Sequence, residues 1–180
     1  MAFIGKCILI KFVFGNILSK TRKFGINTLM FFLPLFDRLA SSRTPIISWG
    51  ILILCITVFF FQLSLDSYSS RLMILKYGVI PSVLFGYQSL PPELELIHPF
   101  VTVVTSMFLH GGWLHIASNM LYLWIFSDNI EESMGHLKFI IFYIICGSVA
   151  ALAQSMIAPS SITPMIGASG GIAGILGAYI

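Results

Sequence analysis

Between Arg43 and Asp66 the chain reads TPIISWGILILCITVFFFQLSL, a run without a single charged side chain. A run of that length crosses a ~30 Å hydrocarbon core as one helix of about 20 residues. Two more such stretches follow, from Phe100 to Ser127 and from Phe139 to Ile180. The last is too long for one helix. Pro159 and Pro164, with Ser160, Ser161 and Thr163 around them, divide it into two. The expected spans are about 46–65, 112–127, 139–157 and 168–180. The fourth, counted from Ser169, has length for only about 18 Å of helix, so the reading expects a chain truncated within that helix.

Composition agrees with burial in lipid. The chain is 57% apolar and 9% charged, with a mean hydropathy of +0.95. Soluble domains carry roughly 25% charge. The net charge of +3 is carried unevenly: Lys6, Lys11, Lys20, Arg22, Lys23, Arg38 and Arg43 all precede the first span. That asymmetry is a topology signal and excludes a phosphate-binding groove, so no nucleic-acid partner is expected. By the positive-inside rule the N-terminus lies in the cytoplasm. Counting spans then puts the segment from Asp66 to about Gly112 outside, Asp128, Glu131 and Glu132 inside, and the Pro-Ser loop outside. Residues 1–44 read as a basic cytoplasmic or interfacial segment, or a targeting segment. Met30 would serve equally well as a start.

Several chemistries are excluded. Cys7, Cys55 and Cys146 are isolated in apolar runs, and no H-E-x-x-H occurs among His98, His110, His115 and His136. On one helix His110 and His115 would point about 140° apart, a poor ligand pair. No Asp lies inside a span to build an aspartyl site. No metal or organic cofactor is expected.

Two polar clusters remain. In FLHGGWLHIASNMLYLW, His115 and Asn119 stand one turn apart on one helix face. Such a pair inside lipid marks a site or simply joins two helices by a hydrogen bond. In Gly167–Gly174, Ser169 is flanked by glycines at a helix start, where backbone N–H groups can stabilise an oxyanion. The competing reading is close helix packing, because Gly167 and Gly171, and Gly170 and Gly174, are small residues at i, i+4. The string also fits G-x-S-x-G, but that elbow needs a preceding strand and later acid and His partners. Topology counting places both clusters at the same depth near the outer face. That coincidence favours a hydrolytic site.

FLHGGWLHIASNM, EESMGHLKFIIFYIICG and PMIGASGGIAGILGAY, in that order, resemble a rhomboid intramembrane serine protease over roughly Pro45–Ile180. The resemblance implies an all-α polytopic bundle of six or seven helices, of which about four are present. It also implies that a serine attacks a peptide bond of a transmembrane substrate entering from the bilayer. By position Ser169 is the implied nucleophile, with its own N–H and the side chains of His115 and Asn119 as the oxyanion hole. Gly167 and Gly170 support the serine loop, His110 positions loop and helix, and Glu131, with Gly135, matches the inner turn as a structural hydrogen-bond anchor.

The chain departs from the family twice. Val101 and Thr102 stand where many members have Trp-Arg, and no histidine follows Ser169, where the family carries its general base. A serine hydroxyl without a base is a weak nucleophile. The alternatives are a non-catalytic rhomboid-like protein that binds membrane clients, an inactive fragment, or a piece of a transporter. The expected location is a bacterial plasma membrane. Substrate identity and oligomeric state are not written in the sequence.

Overall fold

The computed structural model describes residues 44–95 and 97–179 and is all-helical, with one isolated bridge and no strand among those residues. The expectation for the basic N-terminal segment falls on residues 1–43, outside the described part. We number the helices α1 Ile46–Ser64, α2 Ser67–Tyr77, α3 Pro81–Leu84, α4 Pro99–Thr105, α5 Trp113–Met134, α6 His136–Ile157 and α7 Ser169–Tyr179. A single 3-10 turn, Ser106–Phe108, extends α4.

Helix α1 shows which solvent the fold is built for. Its buried stripe is Ser48, Ile51, Cys55, Phe59 and Gln62, while Ile46, Trp49, Ile53, Leu54, Phe60, Phe61 and Leu63 are exposed. Ser48 and Gln62 therefore face the protein while most of the large apolar side chains face out. That is the arrangement of a helix in lipid, where side-chain hydrogen bonds find partners only inside the bundle. Helices α1 and α6 are each long and apolar enough to cross a membrane, and α4 with α5 passes the same test as a pair bent by 82°. The protein is an integral membrane protein.

The uncharged run from Phe100 to Ser127 is thus not one straight helix. It breaks at Leu109–Gly112, where the Gly111-Gly112 pair offers no helix propensity and the chain turns before Trp113. Beyond Ser127, α5 continues through the acidic residues to Met134, because the carboxylate of Glu131 is satisfied inside the bundle. Gly135 at φ +80 ends α5 and begins α6 in one residue, a left-handed conformation that favours glycine.

The segment between α1 and α5 is more ordered than an outer loop needs to be. Asp66 caps α2, accepting from the N–H groups of Tyr68 (2.9 Å) and Ser69 (3.2 Å). Val79 exchanges two backbone hydrogen bonds with Met165 (3.0 and 2.7 Å), and Ser82 N–H donates to the Ser161 carbonyl at 3.0 Å. The loop leading to α7 is therefore stapled to the segment that follows α2. Helix α7 packs most extensively on α6 and next on α5, with α1 against α5 on the other side.

Candidate functional site

Ala168 is the N-cap of α7, its carbonyl taking the first helical bond from Ile172 N–H at 3.1 Å. Ser169, Gly170 and Gly171 therefore occupy the first turn, whose N–H groups have no intrahelical acceptor. Ser169 is exposed, and among the described residues its hydroxyl makes no hydrogen bond. Ala168 beside it is fully buried, which fixes the backbone under the serine.

The glycines divide between two tasks. A Cβ on Gly170 would sit 2.7 Å from Ala150 Cβ, one on Gly171 2.5 Å from Tyr143 Cε2, and one on Gly174 would overlap Cys146 Cβ. These three let α7 close on α6, the packing expected of small residues in membrane helices. Gly167 is different. It sits at φ +124, its N–H donates to the Ser106 carbonyl at 2.8 Å, and a Cβ there would lie 2.7 Å from His115 Nε2 and 3.9 Å from Asn119 Nδ2. The strap ahead of Ser169 thus lies directly against the two polar groups of α5.

The donors on that side are oriented by their other bonds. Gly111 N–H donates to His115 Nδ1 at 3.3 Å. In a neutral imidazole that places the ring proton on Nε2, the nitrogen facing Gly167. Asn119 Nδ2 donates one hydrogen to the His115 carbonyl at 2.9 Å, leaving the second for another acceptor. His115 is half-buried and Asn119 is buried. Ser169, His115, Asn119, Gly167 and Gly170 are therefore gathered at one end of α5, α6 and α7.

His110 is brought to the same end by the bend before Trp113. Because it precedes α5, the helical angle between His110 and His115 does not apply, and their rings stand 5.2 Å apart at 64°. His110 is 1% exposed with no hydrogen-bond partner on either ring nitrogen; the Phe108 backbone approaches without hydrogen-bond geometry. Its own backbone is paired with the Gln62 side chain, which donates to the His110 carbonyl (3.3 Å) and accepts from its N–H (3.2 Å). Gln62 was not singled out in the sequence, although a lone amide near the end of an apolar span was the available signal.

Glu131 lies at the opposite end of the bundle. Its carboxylate accepts from Ile47 N–H (2.9 Å), Ser48 N–H (2.8 Å) and Ser48 Oγ (2.6 Å), and pairs with His136 Nδ1. It caps the N-terminus of α1 from another helix, matching a negative charge to the positive end of the helix dipole. His98 caps α4 through Nδ1. Among the described residues, no group of three or more His, Cys, Asp or Glu could hold a metal ion.

Comparison with known proteins singles out the same region. The sequence profile of the Rhomboid domain matches residues 98–180. The chain is 31% identical over 78 residues to "RHOMBOID-like protein 6, mitochondrial" of Arabidopsis thaliana, covering 43% of this chain and 25% of that protein. It is 35% identical over 82 residues to "Rhomboid-like protease 5" of Toxoplasma gondii (43% and 9%), and 35% identical over 78 residues to "Rhomboid protease GluP" of Bacillus subtilis strain 168 (43% and 15%). The chain thus spans a quarter or less of the length of these relatives.

Proposed function

We propose that this chain, whose residues 98–180 match the Rhomboid domain, is a member of the rhomboid family and carries the nucleophile and oxyanion-hole half of an intramembrane serine endopeptidase. The observation that carries this reading is the close approach of Gly167 to His115, whose Nε2 lies 2.7 Å from where a Cβ on Gly167 would stand, with Asn119 Nδ2 3.9 Å from the same point, two residues ahead of an exposed serine on the first turn of a helix. Ser169 Oγ attacks the carbonyl carbon of a peptide bond in a transmembrane segment. The resulting oxyanion is held by Ser169 N–H, His115 Nε2–H and Asn119 Nδ2–H. Such preorganised donors act strongly in a water-poor site, and removing one typically costs about 10²- to 10³-fold in turnover. Collapse breaks the C–N bond and returns the serine proton to the amine through a base.

That base is not among the four histidines. His115 donates to the oxyanion, His110 is buried behind it, His98 caps α4 and His136 is paired with Glu131 at the far end. The 180-residue chain by itself is therefore expected not to cleave a transmembrane substrate measurably, for want of a group to activate the serine. With the N-terminus in the cytoplasm, the site faces the outer side of a bacterial plasma membrane.

The test separates the serine from the missing base. The chain in detergent is treated with a fluorophosphonate, with imidazole added as an external base. We expect imidazole-dependent labelling that Ser169→Ala abolishes and Asn119→Ala weakens at least tenfold, since the same donors stabilise phosphonylation. One observation favours a second reading: the Ser169 hydroxyl has no hydrogen-bond partner among the described residues, as in a non-catalytic protein that binds membrane clients. No labelling with imidazole, in a chain that still folds, would select that reading.

A further inference from the structure

The outer half of α1, α2 and the 3-10 turn flank a cleft of about 540 Å³. Its walls are apolar, with Leu54, Val58 and Phe61 from α1, Leu72 and Met73 from α2, and Phe108 from the turn. Lys76, in the last turn of α2, is the one charged side chain lining it. Among the described residues Lys76 has no acidic partner, and Arg71 on the same helix has none. Asp66 is engaged in capping the other end of α2, and Glu95, which lines a small neighbouring pocket together with Lys76, makes no ion pair with it. An apolar cleft with an unpaired cation is complementary to a molecule with an apolar chain and an anionic head.

Dimensions decide which such molecule fits. The lining residues of α1 and its C-cap run from Leu54 to Leu65, the length of about three helical turns. A partner helix about 10 Å across with a 5.4 Å pitch fills roughly 420 Å³ per turn, so the open cleft would take in less than half of three turns of such a helix. A hydrocarbon chain is thin enough to lie along all three turns. In a bilayer, the flank of α1 that exposes Leu54 and Phe61 meets lipid in any case.

We propose that the cleft between α1 and α2 binds one anionic glycerophospholipid, its acyl chain along α1 and its headgroup phosphate on Lys76. None of the residues lining the cleft belongs to the candidate active site, and the proposal does not rest on proteolytic activity. A bound lipid would fill the gap between α1 and α2, two helices that touch each other little, and hold α2 in place.

Native mass spectrometry of the 180-residue chain in mild detergent tests this. Phosphatidylglycerol and phosphatidylcholine with identical acyl chains are supplied at equal concentration. The wild type is expected to retain phosphatidylglycerol preferentially. Lys76→Gln should lower the ratio of retained phosphatidylglycerol to phosphatidylcholine about fivefold, the effect of one cation near an anionic headgroup. Met73→Trp, which fills the cleft, should reduce retention of both lipids, and Leu54→Trp does the same from α1 if Met73→Trp fails to fold. Equal retention of the two lipids by the wild type, or a preference unchanged by Lys76→Gln, overturns the proposal. Photocrosslinking from position 61 to a transmembrane peptide instead of to lipid also overturns it, in favour of a protein occupant.

Discussion

Gly167→Ala isolates the contact on which the site depends. The new Cβ would fall 2.7 Å from His115 Nε2, whereas ordinary van der Waals contact begins near 3.4 Å, so the imidazole must retreat by about 0.7 Å. The backbone at φ +124 adds strain of about 1–3 kcal/mol for a residue with a side chain. Displacing the ring also weakens the bond that Nδ1 accepts from Gly111 N–H, worth about 1 kcal/mol. Together these give a loss of about 2–4 kcal/mol. Gly177→Ala on α7 is the matched control. Nothing lies within 4 Å of its Cβ position, and Ala in a helix is better than Gly by about 0.8–1.0 kcal/mol. Reversible unfolding in mixed micelles, followed by circular dichroism, should therefore show opposite signs for one chemical change at two glycines of the same segment. The His115 ring resonances should move in Gly167→Ala only, and the imidazole-dependent labelling of Ser169 should fall by about 10²-fold, as a misplacement near 1 Å costs. If Gly167→Ala unfolds within 0.5 kcal/mol of the wild type and leaves those resonances unmoved, the contact between strap and histidine does not exist as described.

Three further outcomes follow from separate parts of the structure. Glu131→Ala leaves two N–H groups of α1 and the Ser48 hydroxyl without their acceptor, and should destabilise the bundle by about 3–5 kcal/mol in the same unfolding assay; a loss below 1 kcal/mol would show that water replaces the carboxylate. His110→Phe exchanges a buried ring with two unpartnered nitrogens for an apolar ring of similar shape, so stability should hold within about 1 kcal/mol or rise; a clear loss would reveal a bound water at the imidazole. The hydroxyl and N–H of Ser69 and the N–H of Tyr68 hold the Asp66 carboxyl below its usual value. The α2 cap is thus fully formed above the ordinary carboxylate range and is lost as pH falls through the lowered value, and amide exchange at Tyr68 and Ser69 should quicken there in the wild type but be fast at every pH in Asp66→Ala.

The cap at Asp66 shows what close reading of the sequence could have found and did not. An aspartate followed by Ser-Tyr-Ser-Ser and stopped at Gly78 carries both helix signals, yet α2 lay inside what read as a plain outer loop. The bend at Gly111-Gly112 is a similar case, since hydropathy averages over it. No local signal announced the pairing of Val79 with Met165, of Gln62 with His110, or of Glu131 with the start of α1. Those partners are 48 to 86 residues apart and meet only when helices pack.

The sequence by itself determined the solvent and the residues of the candidate site. Uncharged runs too long for a soluble core require lipid, and because no backbone group can be left unpaired there, a continuous apolar run of about 20 residues requires a helix. His115 and Asn119 share a face by helical periodicity alone, and Ser169 stands at a helix start because Pro164 and the glycines allow nothing longer before it. Only the tertiary structure decided which glycine serves the site. Gly170, Gly171 and Gly174 face α6, while Gly167 meets His115, and all four belong to one small-residue string. The difference is in what lies across the gap, and that is fixed by the packing of α7 between α5 and α6 and by the hydrogen bonds that tie its leading strap to Val79 and Ser106.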